Sequence, residues 1–139
     1  LYTVVFDSSN KKDYSCYTNT DVSYAFADGK VTASYGAATP KELDDVKSQK
    51  KALIKQQASH LLAPTDWYVI KATDVESYSV QSAITTYRAN VRTKSNEIEV
   101  LIDACSTVDE LATLYEYVNT GTEEEPVMER PLGEFPEAV

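Results

Sequence analysis

The sequence predicts an α+β protein: a small antiparallel sheet at the amino-terminal end, then a long helical hairpin, a short helix and an extended acidic tail. Asp28-Gly29 sits between two strand-like runs, Ile84, Val91, Ile98 and Cys105 recur every seven residues, and Glu and Pro dominate after Gly121.

Residues 1–39 are rich in Tyr, Val, Thr and Phe and lack a helical apolar stripe, which is the pattern of strands. Leu1 to Phe6 is almost continuously apolar and is expected to form a buried or central strand. Tyr14 to Tyr17 is a weaker candidate. Val22 to Ala27 and Lys30 to Tyr35 flank Asp28-Gly29, a pair that accepts the positive φ angles of a type I′ turn, so they predict a hairpin. Large aliphatic residues are few here. Such a sheet needs a helix or another chain over one face.

From Pro40 the pattern turns helical. Thr39 suits the N-cap, Pro40 the first helical position, and Glu42, Asp44 and Asp45 the positive end of the helix dipole. This helix is expected to stop at Ala63-Pro64. Leu53, Ile54, Gln57, Ala58 and Leu61 share one side, which Lys47 and Lys50 interrupt, so burial is expected only in the second half. Trp67 to Ile70 reads as an extended apolar segment, and the chain reverses between Pro64 and Tyr78.

A second helix begins near Ser77 or Ser79, with Val80, Tyr87 and Leu101 interleaved in the heptad seam and Lys94 its one interruption. Antiparallel packing on the preceding helix is the expectation, and a homo-oligomer through the heptad helix is the alternative. Thr107-Val-Asp-Glu110 forms a capping box ahead of Leu111, Leu114 and Tyr115. The chain thus divides into residues 1–39, 40–119 and 120–139. The last of these, Glu-rich with three prolines after Gly121, reads as a flexible tail that orders only by docking, which points to a larger assembly.

Of the 139 residues, 13 are basic and 22 acidic, a net charge of −9; in residues 107–139 one basic residue faces nine acidic ones. This balance argues against a nucleic-acid partner, which demands clustered Lys and Arg. No apolar run approaches the roughly 20 residues of a membrane span, so no membrane partner is expected and the chain reads as soluble.

Catalytic chemistry is sparse. The one imidazole, His60, lies at the edge of the first helix's apolar side, and no serine stands in a nucleophile-elbow pattern. Cys16 and Cys105 are too few and too far apart for a zinc site and are expected to be free thiols, with a disulfide between them as the alternative. Gly29, Gly36, Gly121 and Gly133 are isolated, which excludes a phosphate loop. Glu123-Glu-Glu125 reads as a solvated acidic run. Asp66, Asp74 and Glu76 flank Trp67, yet any acidic protein offers such carboxylate pairs. No enzyme activity, metal or cofactor is expected.

Trp67 suits two roles, an anchor between the helices and the sheet or a hot spot against a partner, and the anchor is the expectation. The ten tyrosines include several in the first 35 residues, where Tyr24 and Tyr35 suit packing, a protein interface or stacking on sugar rings.

His60-Leu-Leu-Ala-Pro-Thr-Asp-Trp-Tyr-Val-Ile70, Tyr87-Arg-Ala-Asn-Val-Arg92 and Ser106-Thr-Val-Asp-Glu-Leu111 resemble the core of small tail assembly or tail-fibre-associated proteins of tailed bacteriophages. In those proteins a helix ending in Leu-Leu-x-x-Thr-Asp-Trp precedes a variable loop and a helix carrying Tyr-Arg-x-x-x-Arg. The likeness spans residues 45–115. It implies a non-enzymatic role at the tail or baseplate, attaching or assembling tail or fibre subunits, in a virion protein made in the host cytoplasm. A transient fibre-assembly chaperone and a receptor- or glycan-binding adhesin are the alternatives. Partner contacts are expected at Asp66, Trp67, Tyr68, Arg88 and Arg92, and in the variable ends at Tyr24, Tyr35 and Phe135. A solvated helix face or an ion pair with Asp66 is the alternative reading of Arg88 and Arg92. The chain departs from the pattern at its end, where an acidic, proline-containing tail replaces a Trp-Pro-rich segment.

Overall fold

A computed structural model describes residues 2–139. It has the α+β architecture, with short strands at the amino-terminal end and helices after them. The early strands are β1 (Thr3–Asp7), β2 (Tyr17–Thr18), β3 (Val22–Ala27), β4 (Lys30–Tyr35) and β5 (Thr39–Pro40). The β3–β4 hairpin turns at Asp28 and Gly29, whose φ angles of 51° and 71° are those a type I′ turn requires.

Two expectations for this sheet are corrected. Its order is β1-β4-β3, so β1 is an edge strand, exposed throughout, and it runs parallel to β4. The direction follows from anchoring. Both β1 and β4 lead into segments fixed in the core, Cys16 and Tyr17 after β1 and the first helix after β4, so both run toward that core. Thr39 and Pro40 do not open the helix. They pair with Tyr17 and Thr18, and the Lys41 amide donates to the Cys16 carbonyl at 2.9 Å, which holds the chain extended for two more residues.

Helix α1 (Leu43–Leu62) therefore starts at Leu43 and has no side-chain cap at Glu42. A single 3-10 turn (Ala63–Thr65) leads straight into α2 (Asp66–Asp74), so Trp67 to Ile70 are helical rather than extended. Pro64 permits this because the first turn of a new helix needs no donor at that position. The buried side of α1 is Val46, Lys50, Ile54 and Ala58, every fourth residue, so its first half is as deep as its second and Leu53 points out. Lys50 joins the buried stripe because its stem packs inside while its ammonium finds partners: it donates to Ser15 Oγ at 2.7 Å, stands 3.9 Å from Asp13 and lies 4.4 Å over the Tyr115 ring.

Reversal occurs between residues 75 and 81, and α3 (Ser82–Ala104) starts later than Ser77 or Ser79. Ile84, Val91 and Ile98 are buried as the heptad spacing requires, with Cys105 just past the helix, but Ile102 takes the seam position and Leu101 stays partly exposed. The hairpin is antiparallel and intramolecular. Tyr87 Oη donates to the Leu61 carbonyl at 3.1 Å near one end; Lys55 meets Glu99 at 3.3 Å and Lys51 meets Asp103 at 2.7 Å toward the other.

In α4 (Val108–Thr113) the Thr107 hydroxyl accepts the Glu110 amide at 3.1 Å, while the Glu110 carboxylate accepts the Ser106 amide at 2.6 Å, one residue earlier than in an ideal capping box. The acidic segment docks on its own chain. It forms a small hairpin, β6 (Val118–Asn119) with β7 (Met128–Glu129), and then buries Leu132 completely. The Leu132 amide donates to the Leu114 carbonyl at 3.0 Å, and Gly133 turns beside Lys94 at φ 70°, a left-handed conformation that favours glycine. Arg130 forks onto Glu134 at 2.7 and 2.8 Å.

The main core joins Cys16 and Tyr17 to Val46, Ile54, Ile98, Ile102, Cys105, Val108, Leu111 and Leu132. A smaller cluster of Ala58, Tyr87 and Val91 lies nearer α2, and Phe135 touches both. Among the described residues no helix is long and apolar enough to cross a membrane.

Candidate functional site

Leu62, Thr65, Asp66 and Arg88 converge where α1, α2 and α3 meet. Arg88 is buried and its guanidinium donates to the Leu62 carbonyl at 3.0 Å, to Thr65 Oγ1 at 2.7 Å and to Asp66 Oδ1 at 2.8 Å. Thr65, itself buried, donates back to the Leu62 carbonyl at 2.8 Å. One side chain from α3 thus satisfies the end of α1 and ties α2 to it. Arg88 and Asp66, expected at a partner surface, form a structural lock, as the ion-pair alternative had it.

Arg92 lies one turn further along α3 and is exposed. Its single hydrogen bond, to the Arg88 carbonyl, is long at 3.4 Å, and among the described residues it is the one arginine without a carboxylate partner. Two open clefts meet at Arg88 and Arg92. The first, of about 460 Å³, runs between α1 and α3 past Lys55, Ser59, Ser95 and Glu99; the second, of about 390 Å³, reaches Val69, Val80 and Ala89.

Trp67 is 51% exposed and does not anchor helices to sheet. Because α2 continues helically from α1, residue 67 falls on an outer face, where the indole lies 3.8 Å from the Tyr68 ring and Lys71 caps Tyr78 at 4.5 Å. No residue of α2 is buried, although Trp67, Val69 and Ile70 are large and apolar. Phe135, also expected at a partner contact, packs half-buried against both cores.

An exposed apolar face belongs to the three-stranded sheet. Its register places Phe6, Ala33 and Tyr24 in one row, Val4, Val31 and Phe26 in the next, and Tyr35 beside Val22, all on one face. Ala33 is buried between its aromatic neighbours. Phe6 is 76% exposed and Tyr24 71%, and Tyr2 packs edge-on against Phe26 at 5.2 Å. Among the described residues none of these strands makes an extended contact with a helix, and the apolar face is largely open. Tyr24 was expected at a contact surface; Val4, Phe6 and Phe26 share its face, a sharing signalled by the period-two alternation of β3 and β4 but hidden in β1, which is almost continuously apolar. Tyr35 is half-buried, with Lys11 5.8 Å from its ring centre.

The body beneath is held to this end by a polar latch. Tyr17 donates to the Asp109 carboxylate, and Lys12 stands 3.5 Å from it. The Tyr17 hydrogen bond and then the Lys12 charge lower the Asp109 pKa; burial, then that same bond, raises the Tyr17 phenol. His60 is exposed on α1. Cys16 and Cys105 are free and buried, and burial raises the Cys105 thiol pKa.

Comparison with protein-family models, curated proteins and solved structures returns no match.

Proposed function

We propose that this chain is a non-enzymatic structural protein of a bacteriophage tail or baseplate, joining tail or fibre subunits through the apolar face of its amino-terminal sheet. The observation that carries the docking role is the exposed row pattern of Val4, Phe6, Tyr24 and Phe26 on a sheet that, among the described residues, makes no extended contact with a helix. A three-stranded sheet gains little stability without a covered face, and contiguous exposed aromatic residues are typical of docking surfaces. The tail assignment rests on the motif likeness, whose residues Leu62, Thr65, Asp66 and Arg88 here interlock into one junction. The net charge of −9 favours a partner with a basic rim, whose binding weakens with salt.

The test places a photo-crosslinking amino acid at Phe6 or, as control, at Glu76 during infection, and identifies adducts by mass spectrometry alongside the protein content of purified virions. Adducts from position 6 with a tail or baseplate protein, together with the chain's presence in virions, are expected. Fibre adducts in the lysate with no chain in the particle would move the role to a transient chaperone. No adduct from position 6 would remove the sheet face as the docking surface.

A further inference from the structure

We infer that the groove crossing α3 at Arg92 is a second docking site, independent of the sheet, and that it takes an internal extended peptide segment carrying an acidic residue close to an aliphatic one.

In a chain of net charge −9, this groove holds Lys55, Arg88 and Arg92 against Asp66 and Glu99, a local excess of one positive charge. Arg88 is consumed by the lock to Leu62, Thr65 and Asp66, and Lys55 by Glu99. Arg92 is the cation left over. Its guanidinium has one long bond to its own helix and otherwise free donors in a planar fork, the geometry that grips a carboxylate with two parallel hydrogen bonds.

Position adds the rest of the recognition. On one side of Arg92 lies the cleft whose apolar wall is Val69, Val80 and Ala89, with room for a branched aliphatic side chain. On the other side the polar cleft toward Lys55 is lined by Ser59, Ser95 and Asn96, hydroxyl and amide groups suited to a peptide backbone. Both clefts are open and both share Arg88 and Arg92, so a chain can enter at one and leave at the other. That through-running shape fits an internal segment rather than a chain end. The buried Arg88 lock holds α2 against α3 and thereby fixes the apolar wall relative to Arg92, which lowers the ordering cost of binding.

The test selects a displayed library of random dodecamer peptides on the immobilised full chain, with Arg92→Gln and Phe6→Ser variants in parallel, and measures the enriched peptides, capped at both ends, by fluorescence anisotropy at two salt concentrations. Enrichment of an acidic residue within three positions of Leu, Ile or Val is expected, with at least tenfold weaker binding to R92Q, partial recovery in R92K, unchanged binding to F6S and loss of affinity on Asp→Asn replacement in the peptide. Far-UV circular dichroism of R92Q should match the parent, since the single bond of Arg92 is a long one to its own helix. No enriched peptides, enriched peptides without an acid, or equal binding to R92Q would overturn the inference. Loss in F6S rather than R92Q would assign the peptides to the sheet.

Discussion

Replacing Arg88 by Met keeps the apolar stem and removes the guanidinium fork, so it isolates what the polar lock contributes. Two bonds from a charged donor to buried acceptors are lost, at Leu62 O and Thr65 Oγ1, worth about 1.5 kcal/mol each at the low end for charge-assisted bonds. The third partner, Asp66, is 54% exposed in its side chain, and an ion pair so wet adds under about 1 kcal/mol. The expected cost is therefore about 3 kcal/mol, which at about 2.1 cal/mol/K of unfolding entropy per residue lowers the Tm of a chain this size by about 10 °C. Asp66→Asn should cost under about 1 kcal/mol. Urea denaturation followed by circular dichroism measures both. If D66N costs as much as R88M, the salt bridge rather than the helix-end hydrogen bonds holds the junction, and the reasoning fails.

Other outcomes follow from the same structure. Leu132→Ala should cost about 2–5 kcal/mol, because Leu132 is fully buried, and native-state hydrogen exchange over residues 127–139 should quicken; unchanged exchange would mean that the tail is held elsewhere. Asp109 has a lowered pKa in the fold, so the stability it contributes is present above its ordinary value of 3.8 and is lost as pH falls through the lower folded value. Asp109→Asn should flatten that acid limb of a stability–pH curve. Tyr17 has the reverse sign: its raised pKa gives stability present below its ordinary value of 10 and lost as pH rises through the higher folded value, so ultraviolet titration should show one phenol ionising only with alkaline unfolding. Both thiols should resist alkylation in the native chain and react once it is unfolded, since Cys16 and Cys105 are buried.

How far these features were legible in the sequence depended on whether local or distant partners decide them. The hairpin at Asp28-Gly29 and the Thr107 cap are written in adjacent residues and came out at the expected positions. The heptad of α3 was equally readable, because one periodic face meets one partner. Lys50 was read as an interruption since its partners, Ser15 and the Tyr115 ring, lie 35 and 65 positions away. The direction of β1 was hidden for a similar reason: it depends on Cys16 and Tyr17 being captured by a core assembled from residues 46 to 132. Pro64 signals both the end of one helix and the first turn of the next, and only packing against α3 decides between them. For the docking surfaces, Arg88 and Arg92 were indistinguishable by type and spacing, although one is spent within the fold and the other is free.

The claim that this molecule works by presenting its bare sheet to a neighbour is met most directly by an electron cryo-microscopy map of purified tails. The account predicts density for this chain in which Phe6, Tyr24 and Phe26 of every copy lie buried against another subunit. Copies whose sheet face stands open to solvent, or a well-resolved tail without this chain, would contradict it.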